Sequence, residues 1–392
     1  MDPLTNPYTP NAGAAPLALL GRDDYLTRFR ILLKRLGAGR AEQSMIITGL
    51  RGVGKTVLLG EFRTVALDEG WIVIEQEISK HADDAFRRHI ASKFRTALFE
   101  LSPRVRWGDR MKRAAAVLKS FTVSVDAAGG MSAGLDVDAA LGFADHGELA
   151  LDMTDLFLAV GEAAKDAGKG VALIFDEIQF LSTEQLEALI TALHKTVQRK
   201  LPVTLVGAGL PQIAELAGEA KSYSERLFAF PRIGHLEDED ARLALSRPAE
   251  DEGAAYDEPA LELAVEVTGC YPYFIQELGY SVWGVAQNGR IARSDVVEAL
   301  DAYQAKLDSS FFRVRLDRCN NSQVKYIRAM AKLGPEPQKA QDVADALGKK
   351  SSQVAPTRAG LISMGLLYTP EYGHAAFTVP HFDEFIARAY PE

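Results

Sequence analysis

Ser44-Met45-Ile46-Ile47-Thr48-Gly49-Leu50-Arg51-Gly52-Val53-Gly54-Lys55-Thr56 is the stretch whose reading decides the fold. A short apolar run ends in Thr48, and G-x-x-x-x-G-K-T follows from Gly49 to Thr56, the spacing of a loop that cradles a polyphosphate. Backbone N–H groups must wrap a curved, multiply charged surface, so side chains are kept out at Gly49, Gly52 and Gly54. Such a loop opens into a helix whose N-terminus adds unpaired donors and a favourable dipole, and Val57-Leu58-Leu59 continue in that sense. In this chemistry Lys55 brings a point charge to the outer phosphates and Thr56 offers a hydroxyl to Mg²⁺.

The chain around this loop has 392 residues, 47% apolar and 25% charged, enough for two or three domains and a proper core. Its two cysteines, Cys270 and Cys319, form no disulfide framework and no metal-binding spacing, which fits a reducing, cytoplasmic setting. There is no run of 18 apolar residues, and Met1 to Pro10 has neither a basic region nor an apolar core, so neither a membrane span nor a leader is expected. The net charge of −9 argues against a chain that is basic all over and leaves room for a local basic patch.

Residues 1–19 read as an irregular arm rich in Pro, Asn, Gly and Ala. A helix follows with Leu26, Phe29, Leu32, Leu33 and Leu36 on one face. Beyond the loop, Trp71 to Ile74 predicts a strand and residues 84–101 an amphipathic helix. Residues 81–120 hold ten Lys/Arg against four acids, either a surface for phosphate backbone or a solvated helix face. Phe121-Thr122-Val123-Ser124-Val125 alternates as a strand does, and a hairpin returning through Leu135-Asp136-Val137 is expected, within an insertion at about 84–150.

The apolar run Val171 to Phe175 ends in Asp176-Glu177. It suits a strand buried on both faces, with two carboxylates at the edge where α/β sheets place ligands. Beside a phosphate loop, Asp176 is the natural partner for the Mg²⁺ shell and Glu177 the base or water-orienting group; alone, the pair would be solvated acids at a turn. Ser182-Thr183-Glu184-Gln185 is a capping-box pattern, Pro202 to Val206 a fourth strand, and Tyr223 to Pro231 a loop and a fifth. Strands alternating with helices imply a parallel five-stranded sheet in an α/β core over 20–234.

From Leu236 the pattern turns helical, giving a small lid domain over 235–316. Residues 317–392 read as three helices and a two-stranded wing, a winged helix-turn-helix. Lys349, Lys350, Ser352 and Arg358 start or line its recognition helix. Eight basic and seven acidic residues over 321–392 leave a protein-docking role equally in view.

With GLRGVGKT at 49–56 and LIFDE at 173–177 ahead of a lid and winged helix, the chain resembles AAA+-type P-loop ATPases. The branch it resembles holds the origin-recognition and replication-initiator ATPases and grades into the STAND signalling ATPases. The resemblance implies ATP and Mg²⁺ as ligands, held by Gly49 to Thr56 and Asp176, with Lys55 and Glu177 in catalysis. It places Gly21 and Arg22 beside the adenine, and Arg226 where the family often carries an arginine acting on a neighbouring subunit in a homo-oligomer; read alone, Arg226 is a surface residue. Pro272 resembles the G-x-P motif of STAND lids. Two features depart from the pattern: Gly207-Ala208-Gly209 stands where many members carry a polar sensor, and no lid arginine matches the second sensor.

Two functions follow from this reading. One is an Mg²⁺-dependent ATPase whose nucleotide state controls a winged helix on duplex DNA. The other is a slow switch whose winged helix binds a protein partner.

Overall fold

The computed structural model describes residues 1–392 apart from 12, 18, 81, 103–106, 124–133 and 392. The core is a parallel five-stranded sheet of β1 (Ser44–Thr48), β2 (Ile72–Glu77), β3 (Val171–Asp176), β4 (Val203–Gly209) and β5 (Phe228–Ala229). Their order across the sheet is β2-β3-β4-β1-β5. The period-two rule sorts each strand's side chains onto opposite faces. Met45, Ile47, Ala172, Ile174, Val206 and Ala208 enter one apolar cluster, whereas Ile46, Leu173, Phe175 and Leu205 enter another. Every residue of β1 and β4 is buried, as central strands covered on both sides require.

The first face is covered by α1 (Asp23–Gly37) and α2 (Lys55–Asp68), where Phe29 packs on Phe62 at 4.6 Å between ring centres. The second is covered by α3 (Asp83–Leu101), α4 (Asp109–Val123), α5 (Leu149–Asp166), α6 (Thr183–Gln198) and α7 (Ile213–Ala220). The capping box at the start of α6 is formed: Gln185 N donates to Ser182 Oγ at 3.1 Å, and Ser182 N to Gln185 Oε1 at 3.2 Å.

The expected hairpin is corrected here. Residues 121–123 are the last turn of α4, and Leu135 to Val137 form no strand; the proposed turn at 127–130 lies outside the described residues. Ala114, Val117, Leu118 and Phe121 recur at helical spacing and are all buried, so the 3.6-residue period overrides the local alternation. Part of the basic surplus nearby is structural. Arg87 is buried against Asp152 at 2.8 Å and lies over Phe121, and Arg110 approaches Glu162 and Asp166.

After α8 (Ser224–Leu227) the chain enters α9 (Asp238–Asp251), α10 (Glu258–Thr268), α11 (Pro272–Val285) and α12 (Arg293–Lys306). This part is not purely helical: β6 (Ala255–Tyr256) pairs in parallel with β7 (Arg290–Ile291). A π-helical turn, Leu307–Phe312, joins α12 to α13 (Arg313–Leu316). The C-terminal segment holds α14 (Asn321–Leu333), β8 (Gln338–Lys339), α15 (Ala340–Ala346), α16 (Ser351–Ser363), β9 (Leu367–Tyr368), β10 (His374–Phe377) and α17 (Phe382–Ala389). Its sheet is antiparallel in the order β8-β10-β9, one strand more than the sequence pattern suggests, and α17 is a further helix. The first apolar cluster runs on from the sheet through α11 and Phe312 to Phe385 and Ile386 of α17.

Candidate nucleotide site

The loop between β1 and α2 sits at the C-terminal edge of the sheet. Gly52 and Gly54 have φ of +87° and +90°, a left-handed backbone that a side chain would strain. Gly49 meets a different constraint: a Cβ there would lie 2.5 Å from the carbonyl oxygen of Ile233. Lys55 begins α2, is 8% exposed, and donates to the carbonyls of Gly49 at 2.9 Å and Leu50 at 2.7 Å. Burial lowers its pKa to about 8, against the pull of Glu177 and Asp176.

Thr56 Oγ1 donates to Asp176 Oδ2 at 2.6 Å, so the loop hydroxyl and the β3 carboxylate converge, as the sequence suggests. Burial raises the Asp176 pKa, opposed by hydrogen bonds from Thr56 and the Glu177 N–H. A hydroxyl and a carboxylate facing a phosphate loop are hard oxygen donors, a set that fits Mg²⁺, which takes one or two protein oxygens alongside phosphates and water. Glu177 follows in the left-handed region at φ +52°, which turns its side chain out of the strand line; its N–H donates to Asp176 Oδ1 at 2.8 Å.

A cavity of about 410 Å³ joins these residues. Arg22, Arg51, Gly52, Val53, Gly54, Lys55, Thr56, Asp176, Glu177 and Pro272 line it. Gly21, Gly49 and Leu50 do not. Gly21 instead turns the chain over α9, where a Cβ would come within 2.6 Å of Asp240 Oδ2. Arg22 is buried and ties the loop to the segment after β5, donating to Val53 O at 3.3 Å and Gly234 O at 2.8 Å. Arg226 is an exposed residue of α8, whose Ser224 and Leu227 are buried, and does not line this cavity. Lys349, Lys350 and Ser352 are exposed at the start of α16, and Arg358 is half-buried along it.

Several residues with no local sequence signal complete the site. Gln179 is buried; it donates to Glu177 Oε2 and accepts from Leu210 N at 3.1 Å. It fills the place opened by Gly209, where a Cβ would meet Gln179 Oε1 at 2.7 Å. So Gly209 at the end of β4 makes room for a polar group supplied from the turn after β3. Arg315, on α13, lines the same cavity.

The lid grips the loop through backbone. Tyr273 N donates to Gly52 O at 3.1 Å and the Tyr271 hydroxyl to Arg51 O. The N-terminal arm walls the far end with Thr9, Pro10 and Pro16, fastened by Asn6 to Tyr280 O and Thr9 N to Gln276.

The C-terminal segment also reaches the loop. Arg51 N donates to Thr378 O at 3.1 Å and Arg51 Nε to Gly365 O at 3.2 Å, while Arg51 Nη1 approaches Glu177 Oε1 at 3.4 Å.

Residues 18–206 match a family described as "AAA ATPase domain", and residues 309–386 a family described as a domain of unknown function. No curated protein matches the chain. Among solved structures, the chain is similar to the Walker-type ATPase of Pyrococcus abyssi, with 16% identity over 94% of this chain and 96% of that one, at a TM-score of 0.56. Cdc6p from Pyrobaculum aerophilum is also found, with 14% identity over 99% and 97%, at a TM-score of 0.48. At 16% identity the likeness to the Pyrococcus abyssi ATPase is one of fold. No helix among the described residues is long and apolar enough to cross a membrane.

Proposed function

We propose that the chain, whose residues 18–206 match the AAA ATPase domain family, binds ATP and hydrolyses it, and that the state of the site is passed to the C-terminal segment. The observation that carries this is the meeting of Lys55, Thr56, Asp176 and Glu177 around one cavity, with Thr56 Oγ1 and Asp176 Oδ2 2.6 Å apart. The left-handed loop presents N–H groups to the phosphates, and Lys55 trades its hold on the Gly49 and Leu50 carbonyls for phosphate oxygens. Thr56 and Asp176 would hold Mg²⁺, which when bound neutralises charge on the phosphate oxygens. Glu177 orients the attacking water and accepts its proton, and Gln179 holds the Glu177 carboxylate in place. Arg226, exposed on α8, is available to a second copy of the chain.

We read 317–392 as a winged helix whose recognition helix is α16. Its two ends then face different tasks. Lys349, Lys350 and Ser352 lie at its start, free to meet the phosphate backbone of duplex DNA. Met364 and Gly365 follow its other end, beside Arg51. Thirteen helical residues separate the two ends by roughly 20 Å.

A second reading, a slow switch with a protein partner, is favoured by Arg51. This one side chain contacts both Glu177 and the C-terminal segment, so that segment's seat bears on the residue that orients water. Turnover of ATP by the full chain, with and without duplex DNA at low and high salt, separates the two. DNA-stimulated, salt-sensitive turnover supports the first. Slow turnover indifferent to DNA, with nucleotide retained through purification, supports the second.

A further inference from the structure

A second cavity, of about 250 Å³, lies where the phosphate loop, α13 and the turn after α16 meet. Three guanidiniums border it: Arg51 from the loop, Arg315 from α13 and Arg318 just beyond. Ser310 adds a hydroxyl to the same wall, and Gly365 closes the C-terminal side. Like charges are not gathered this way without cause. Glu177 is the one carboxylate paired with Arg51, at 3.4 Å, and neither Arg315 nor Arg318 has a carboxylate partner among the described residues. Arg315 donates from Nη1 to the Phe311 carbonyl, and its guanidinium lies over the Phe311 ring at 4.2 Å. Burial together with Arg51 and Arg318 lowers its pKa to about 10, so the cluster is under electrostatic stress that an anion would relieve.

The chemistry of the missing anion is narrow. Planar guanidinium forks match carboxylate and phosphate oxygens, and the phosphate loop that supplies Arg51 favours phosphate. The volume is several times a water's share of about 30 Å³ yet below the roughly 300 Å³ at which organic-ligand pockets begin. It therefore suits one phosphoryl group and its waters. Arg51, Ser310 and Arg315 also line the nucleotide cavity, so the two spaces are neighbours at the phosphate loop.

We propose that this second cavity is an oxyanion site for the orthophosphate released from the bound nucleotide. The inference rests on the ATPase reading for the source of the ligand. Attack of water on the terminal phosphorus breaks its bond to the bridging oxygen and yields ADP, orthophosphate and a proton. The orthophosphate then leaves through a site whose far wall is the C-terminal segment. Occupation of the site couples to the seat of that segment, because Arg51 serves both.

The test uses the full chain, calorimetric titration with inorganic phosphate in the presence of ADP and Mg²⁺, and separate titrations with ADP and ATP. Arg318→Ala is the informative variant. Arg318 is exposed, borders the second cavity and not the nucleotide cavity, and holds no ion pair among the described residues, so its loss is expected to leave the fold intact. Loss of one charge-assisted contact weakens binding roughly tenfold or more. If Arg318→Ala weakens inorganic phosphate by that factor and leaves ADP and ATP unchanged, the site takes released phosphate. If it weakens ATP and leaves ADP and inorganic phosphate unchanged, Arg318 belongs to the nucleotide site and the proposal is overturned. If wild type and variant bind ATP, ADP and inorganic phosphate alike, the site is overturned while the ATPase reading stands. If wild type binds neither nucleotide, the ATPase reading fails, and a phosphate titration made without nucleotide still decides the site.

Discussion

Arg51 Nε donates a hydrogen bond to the main-chain oxygen of Gly365 at 3.2 Å, across 314 residues of chain. The same oxygen accepts from the Thr378 hydroxyl at 2.7 Å. Gly365 has φ +69°, and a Cβ there would stand 2.6 Å from Arg51 Nη2. Gly365→Ala therefore meets backbone strain and a clash at once, a cost of about 1–3 kcal/mol. The expected outcome is a lower melting temperature and faster proteolysis between the lid and the C-terminal segment. Unchanged melting and unchanged cleavage would show that the contact contributes nothing to the seating of that segment.

Lys55→Ala and Glu177→Gln should part binding from chemistry. Removing the Lys55 ammonium weakens ATP binding by roughly 10- to 100-fold. Glu177→Gln keeps the shape of the site and loses the proton acceptor, so binding persists while turnover falls by about 10²–10⁴. Phosphate release from the purified Glu177→Gln variant at the wild-type rate would remove Glu177 from its assigned role.

Gln179 gives a milder and more diagnostic effect. It bonds Glu177 on one side and Leu210 N on the other, so it fixes the carboxylate against the end of β4. Gln179→Leu should lower kcat by about tenfold or more with KM little changed, as a misplaced group does. A change confined to KM would mean that Gln179 serves binding instead.

The pH dependence follows from Lys55. Its pKa is lowered to about 8 in the free protein, so the neutral amine gains ground as pH rises through that value. Bound phosphates favour the ammonium. Binding must then take up a proton above about pH 8, and ATP affinity should fall roughly tenfold per pH unit there. For folding the sign is opposite. The unfolded chain holds this proton more tightly, so the penalty of burying the ammonium is full below about pH 8 and fades as pH rises towards the ordinary lysine value. Titrations at about pH 7 and about pH 9, in buffers of different ionisation enthalpy, measure the proton uptake. Equal affinity at both would exclude Lys55 from phosphate contact.

For the duplex-DNA reading, Lys349→Glu with Lys350→Glu should weaken binding and reduce the slope of log K against log salt by about two. Binding that is weak and salt-independent in the wild type would transfer the surface to a protein partner.

The phosphate loop and the Asp176-Glu177 pair were legible because their chemistry demands contiguous residues of fixed type. Gly52 also shows the limit of that reading. Its φ of +87° fits the loop, yet a Cβ would also press on Tyr273 and Tyr271 at 3.1 and 3.2 Å, a lid contact no local pattern announces. Gln179, Arg315 and Gly365 were illegible for the same reason: each reaches the site through tertiary packing, as a single residue in ordinary surroundings. The expected strand at 121–125 failed because five residues can satisfy two periods, and the packing of Phe121 on Arg87 chose the helical one.

The two apolar clusters flanking the sheet set an order for synthesis. The one beneath α3 to α7 draws on residues from Ile46 to Phe228, so a ribosome has delivered all of it when little more than half the chain is made. The other spans Tyr8 to Ile386 and is finished only when α17 emerges. During that interval the face carrying α1 and α2 waits with its apolar covering incomplete, the state in which nascent chains are most prone to associate wrongly. The same late closure brings Gly365 to Arg51, so a segment made long after the phosphate loop completes the wall around the arginines.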